Sequence, residues 1–270
     1  MTDVNFMDCT TTKCGGGALV TASAVNVQYG CFCRCSGSSK ASTGENNYFF
    51  AGKFATKSSS QTVVAKELTV YYCPGVYSSS GDRTIVFNTG VITLSFLNLT
   101  NNQPRIEVLA ANGGVGSAGP RYLTLAENTP GELIDNYLTG SPVYEYCNLY
   151  NNNKYHTSTA ALVNGVNTMT LRNSVVAGNT ASKLGTKKVT FSNVYFYGNS
   201  VSTSEYRTGT LKITYFKDGE CKYIPPPTPT PPPTKTPSRS PTRSYSYKYT
   251  AKITQILSLK IVVILAFILN

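Results

Sequence analysis

The residues able to do chemistry in this 270-residue chain are few and widely scattered. The sole histidine, His156, lies in Asn153-Lys154-Tyr155-His156-Thr157 with no acid beside it, and reads as a loop residue. Glu132 and Asp135 form one acidic pair and Asp218 and Glu220 another; both are expected as isolated acids in connecting loops. Acid–base cleavage of a polysaccharide needs paired carboxylates across the bond that breaks. In the best-patterned segments, 94–102, 144–152, 171–179 and 191–199, Glu145 is the only acid. Gly113-Gly114-Val115-Gly116 is glycine-rich but lacks the Lys-Ser/Thr of a phosphate loop. The expectation is a protein without catalytic, cofactor-binding or metal-binding residues.

The cysteines are 9, 14, 31, 33, 35, 73, 147 and 221. Cys31-x-Cys33-x-Cys35 alternates as a strand does, which puts all three on one face. Zinc sites pair a short Cys knuckle with a second pair, and none is present. Disulfides among Cys9, Cys14, Cys31, Cys33 and Cys35 are one reading; buried free thiols packing as small apolar groups are the other. Cys147 reads as a packing residue. Asn98-Leu99-Thr100 is an N-glycosylation sequon; Leu99 is expected to point inward and Asn98 outward.

The elements that must position these residues show themselves in a repeat. Thr170-Leu171-Arg172-Asn173-Ser174-Val175-Val176-Ala177-Gly178-Asn179-Thr180 recurs twenty positions later as Thr190-Phe191-Ser192-Asn193-Val194-Tyr195-Phe196-Tyr197-Gly198-Asn199-Ser200. The frame is an apolar residue, a second five later, and an Asn three after that. Tyr144/Leu149/Asn152 and Leu94/Leu99/Asn102 fit; Leu125/Asn128 keeps the last two terms, and Val27/Phe32/Cys35 fits with Cys for Asn. Weaker rungs are expected around Tyr48–Phe54 and Thr69–Cys73. One such unit cannot bury its own apolar face, so units must stack. The prediction is an all-β chain, a right-handed parallel β-helix of seven to nine coils with Leu99, Leu149, Val176 and Phe196 in one inward column. Asn102, Asn128, Asn152, Asn179 and Asn199 form a ladder beside it. Asn is expected to take the left-handed bend itself, eased by Gly178 and Gly198. At ~4.8 Å per coil the rod is roughly 40 Å long. A sandwich with Asn/Gly turns is the alternative.

Phe196-x-x-Asn199 is a literal F-x-x-N, and Val176/Asn179, Leu149/Asn152 and Leu99/Asn102 are aliphatic variants. Gly16-Gly17-Ala18-Leu19 matches a companion G-G-A-[ILV] motif. Together they resemble the repeats of chlamydial polymorphic outer membrane proteins and related β-helix surface proteins of parasitic protists, over about residues 15–215. The resemblance implies a pectin-lyase-like rod in adhesion or surface display. No membrane β-barrel pattern follows the repeats, so that mode of display does not carry over.

The domain reading is then an N-terminal segment 1–14, a repeat domain 15–222, a linker 223–252 and a hydrophobic segment 253–269. The linker, rich in Pro, Thr and Ser and basic, reads as extended polyproline II. It would act as a stalk spanning up to roughly 60 Å at ~3.1 Å per residue; a ligand for SH3-type domains is the rival reading. Ile253–Leu269 reads as a single C-terminal membrane anchor, as a glycolipid-attachment signal with Ser244 or Ser246 as acceptor, or as a buried element. From Lys222 onward there are seven Lys or Arg and no acid, +7 of the net +11. Basic residues before the apolar segment favour a cytosolic, tail-anchored orientation, whereas the cysteines and stalk favour the cell surface. Met1–Cys9 is not a secretory signal, and a fragment lacking its first coils is expected. The basic residues sit on the linker rather than on an aromatic face, so nucleic-acid binding is not expected. The expected partners are the membrane and an extracellular glycan or protein. A degenerate carbohydrate-active enzyme is the alternative from another class.

Overall fold

The computed structural model describes residues 1–11, 16–37, 48–73, 82–104, 106–153 and 161–200. The chain divides into two units, Met1–Tyr223 and Ile224–Asn270, and all described residues lie in the first. The Pro-rich linker, the segment 253–269, His156, Asp218, Glu220, Cys14 and Cys221 lie outside the described residues.

Every regular element among the described residues is a β-strand. Sixteen strands form one curled sheet, two form a second, and each strand pairing is parallel. Parallel strands need a crossover between them; here the crossovers are the other faces of the same wrap, an arrangement compatible with a β-helix. Phe6, Phe32, Val70, Leu99, Leu125, Leu149, Val176 and Phe196 stand in consecutive register. A second column runs Val27, Ala65, Leu94 and, after Pro120, Tyr144, Leu171 and Phe191. A third set of strands, Tyr48–Thr56, Asp82–Thr100, Glu107–Val115, Glu132–Thr139 and Ala161–Gly165, closes the core with Ile85, Leu109, Ile134 and Val163.

Two expectations are corrected. Tyr48–Thr56 is not a rung of the Asn column but a strand of the third face; among the described residues between Cys35 and Leu94, only Val70 and Cys73 supply a ladder rung. The stack also begins before Gly15. Asn5–Met7 pairs with Cys31–Cys33, so residues 1–11 carry its outermost described level rather than a separate segment. Gly113 and Gly114 lie within the strand Glu107–Val115. A Cβ at Gly113 would sit 2.5 Å from the Gly90 carbonyl oxygen, which explains the glycine.

The bends are built differently from the expectation as well. The left-handed residue is not the ladder Asn but the residue before it: Asp8, Arg34, Tyr72, Asn101, Glu127, Asn151, Gly178 and Gly198 all have positive φ. A second left-handed column lies three residues before the apolar one: Asp3, Tyr29, Glu67, Phe96, Tyr122, Tyr146, Asn173 and Asn193. Such φ values are uncommon outside glycine. Twelve of these sixteen bend residues donate a backbone bond to the next level, such as Phe96 N–H to Arg121 O at 3.1 Å and Asn151 N–H to Ala177 O at 2.9 Å. Three of the bend rings, Phe96, Tyr122 and Tyr146, stack at 4.7 and 5.2 Å.

Candidate functional site

The repeat Asn residues are brought together and fully committed. Asn102, Asn128, Asn152 and Asn179 are buried. Each ladder Asn donates Nδ2–H to the carbonyl of the column residue one level back: Asn102 to Val70, Asn128 to Leu99, Asn152 to Leu125, Asn179 to Leu149 and Asn199 to Val176, at 2.7–3.0 Å. Each Oδ1 accepts the backbone N–H of the ladder residue before it, from Cys73 N–H on Asn102 to Asn179 N–H on Asn199. Side-chain bonds of 2.9–3.2 Å join successive amides. A ladder satisfied in this way offers a ligand nothing, and its role is structural.

Toward the N-terminus, cysteine takes over the same positions. Cys35 Sγ donates to Phe6 O at 3.4 Å and Cys73 Sγ to Phe32 O at 3.9 Å, the same one-level-back contact that the Asn residues make. Cys9, Cys33, Cys35, Cys73 and Cys147 are free thiols. Disulfides among Cys9, Cys33 and Cys35 are therefore not formed in this structure: Cys9 Sγ contacts Met7 O at 3.5 Å, and Cys35 Sγ contacts Phe6 O at 3.4 Å and Cys33 O at 3.6 Å. Cys31 is disulfide-bonded. Cys147 is buried, and burial pushes its thiol up to about 12, as suits a packing residue. Asn98 is 2 % exposed. The expectation of an outward, accessible sequon is corrected: its column neighbours Thr69 and Thr124 and the surrounding structure cover it.

One cluster was missed by sequence reasoning. Glu132 and Asp135 are not in a connecting loop but on the strand Glu132–Thr139. Glu132 is in register with Glu107 and Glu107 with Arg83, one per level. Carboxylate oxygens of Glu107, Glu132 and Asp135 lie within 4.8 Å of one another. Arg83 forms a two-pronged pair with Glu107, through Nε and, at 3.0 Å, through Nη2. Asn164 Nδ2 donates to Glu132 Oε2 at 3.1 Å and Asp135 Oδ1 at 3.2 Å. Burial above all, then the Glu107 charge and the hydrogen bond to it, push the Asp135 carboxyl up to about 8, so it carries a proton at neutral pH. Burial and then Asp135 also raise the Tyr137 phenol, to about 12. The group can share protons, and its oxygens are a donor set for a hard cation, with Arg83 already supplying positive charge. The signal in the sequence was the spacing: Arg83, Glu107 and Glu132 recur at the coil period.

No family model, curated protein or solved structure matches this chain. The site must therefore be read from its own geometry.

Proposed function

We propose that the chain is a membrane-anchored cell-surface protein. Its right-handed parallel β-helix, seven to nine coils of the polymorphic outer membrane protein repeat kind, would act without catalysis in adhesion or ligand display. The Pro/Thr/Ser segment 223–252 would serve as stalk and 253–269 as anchor. The observation that carries this reading is a division of roles between the inward ladder and three exposed rings. The repeat's hydrogen-bonding side chains are spent inward on the ladder, while Tyr29, Tyr72 and Tyr197 are exposed along the length of the stack. Amphipathic rings of this kind are what a protein or glycan surface engages. An epitope inserted at the exposed bend Ser117 should be labelled by antibody on intact cells expressing the full chain. Labelling only after permeabilisation would establish the cytosolic, tail-anchored orientation instead.

A second reading, a carbohydrate-active enzyme, is favoured by the Arg83/Glu107/Glu132/Asp135 cluster on adjacent levels. Against it, Glu107 and Asp135 are only 2 % and 1 % exposed and already paired with each other, closer than glycosidase carboxylates, which stand about 5 Å or more apart. Incubation with a panel of uronic-acid polymers, with and without calcium, is expected to give no turnover. Turnover abolished by Glu132→Gln would replace the display reading with the enzymatic one.

A further inference from the structure

The three cysteines that replace Asn in the ladder form a column of thiols. Met7 is in register with Cys33 and Cys33 with Tyr71, so Cys9, Cys35 and Cys73, each two residues on, succeed one another level by level. The bond from Ser36 N–H to Cys9 O, 2.8 Å, fixes the first step. Cys35 Sγ reaches back to Phe6 O at 3.4 Å, on the level that carries Cys9, and Cys73 Sγ to Phe32 O at 3.9 Å, on the level that carries Cys35. Parallel neighbours stand ~4.8 Å apart, inside the 4.4–6.8 Å Cα separation that a disulfide spans. The three are not equivalent. Cys35 and Cys73 are fully buried, whereas Cys9 is partly exposed. Reagent in solution therefore meets Cys9 first.

We propose that Cys9 and Cys35 are a redox-closable pair, oxidised by a small-molecule disulfide to a bond that staples the first level of the stack to the second. In the first step Cys9, whose thiol burial raises, gives up its proton and attacks a sulfur of oxidised glutathione. A Cys9–glutathione mixed disulfide forms, and one glutathione leaves and takes up that proton. In the second step Cys35, having given up its proton, attacks Cys9 Sγ. The Cys9–Cys35 bond forms, and the second glutathione leaves with that proton. Two protein thiols are oxidised and one disulfide is reduced to two thiols. Contacts with the Cys73 and Cys9 thiols favour the Cys35 thiolate and hold it at about 7, against burial, so it is available near neutral pH. Cys73, more deeply placed and with its thiol pushed well up, stays reduced. The bond would reinforce a level whose strands, Asn5–Met7 and Thr10–Thr11, are short and whose ion pair, Arg34–Asp8 at 2.5 Å, is exposed.

The test is oxidation of the full chain with oxidised glutathione, followed by peptide mapping without reduction. Wild type should lose two free thiols and yield a Cys9–Cys35 cross-linked peptide. Cys35→Ser should stop at the Cys9–glutathione adduct, and Cys73→Ser should cross-link as wild type does. A wild-type chain that retains the Cys9 adduct, links Cys35 to Cys73, or loses no thiols would overturn the proposal. The wild-type readout stands even where a variant fails to fold.

Discussion

Asn152→Ala should lower the stability of the stack by about 3–6 kcal/mol. Asn152 sits in mid-ladder, fully buried. Its Oδ1 accepts from both the backbone and side-chain amides of Asn128, and its Nδ2 serves Leu125 O and Asn179 Oδ1. Alanine removes all four contacts at once and leaves buried donors and a carbonyl that no water can reach. Each such orphan costs about 1–3 kcal/mol. Asn152→Asp should be no milder: it keeps the acceptors but directs a carboxylate oxygen at Leu125 O and Asn179 Oδ1. Asn199→Ala, half-buried at the end of the described ladder, should cost only about 1 kcal/mol, because water can replace the lost partners. Asn128→Cys should fall between, since cysteine keeps a donor to the preceding carbonyl, as Cys35 and Cys73 do, but cannot serve two amides. The midpoint of urea unfolding at unchanged slope reads each change. An Asn152→Ala midpoint equal to wild type would show that the ladder is not what holds the levels in register.

The ladder was legible in the sequence because both of its terms are chemically restrictive. Only an apolar residue fills the column, and only a short side chain with donor and acceptor serves the two backbone groups beside it. Once cysteine replaces Asn the signal fades. Cys35 was readable beside Phe32, and Cys73 only as a weaker rung around Thr69–Cys73, because the interval from Cys35 to Cys73 is far longer than those between the later rungs; Cys9 was not read as a rung. The bends were illegible for another reason. Tyr, Phe, Glu and Arg occupy left-handed positions that local preference would assign to glycine or Asn. There the cost of about 1–2 kcal/mol is offset by axial backbone bonds that exist only after stacking. The acid cluster shows the converse. Each of its members looks like an ordinary surface charge in the linear sequence, and only the 24-residue step from Arg83 to Glu107, close to the step between ladder Asn residues, reveals that they share a face.

Arg83→Met is expected to lower stability at neutral pH by about 3–5 kcal/mol, the usual consequence of removing one partner of a buried ion pair. The Glu107 side chain is 3 % exposed and that of Arg83 16 %, so solvent cannot take over the charge. The dependence on pH then separates the pair from the shared proton. In the unfolded chain the Asp135 carboxyl titrates at about 3.9; in the folded state burial and Glu107 hold it at about 8. The folded state therefore binds the extra proton between these values, and its advantage is complete below about pH 4. Stability should fall as pH rises through that window and level off above about 8. Asp135→Asn keeps the shape, removes the titration, and should flatten the profile, so the variant gains on wild type as pH increases. Melting temperature measured from pH 5 to 9 reads this directly, at about 2–4 °C per kcal/mol for a domain of this size. Equal slopes for wild type and Asp135→Asn would place the shared proton elsewhere. Above about pH 8, where Asp135 of the wild type is ionised, combining Asp135→Asn with Arg83→Met should cost less than the sum of the single changes, because the amide removes one of the charges that Arg83 stabilises. That non-additivity would identify the four residues as a single electrostatic unit rather than neighbours on a surface.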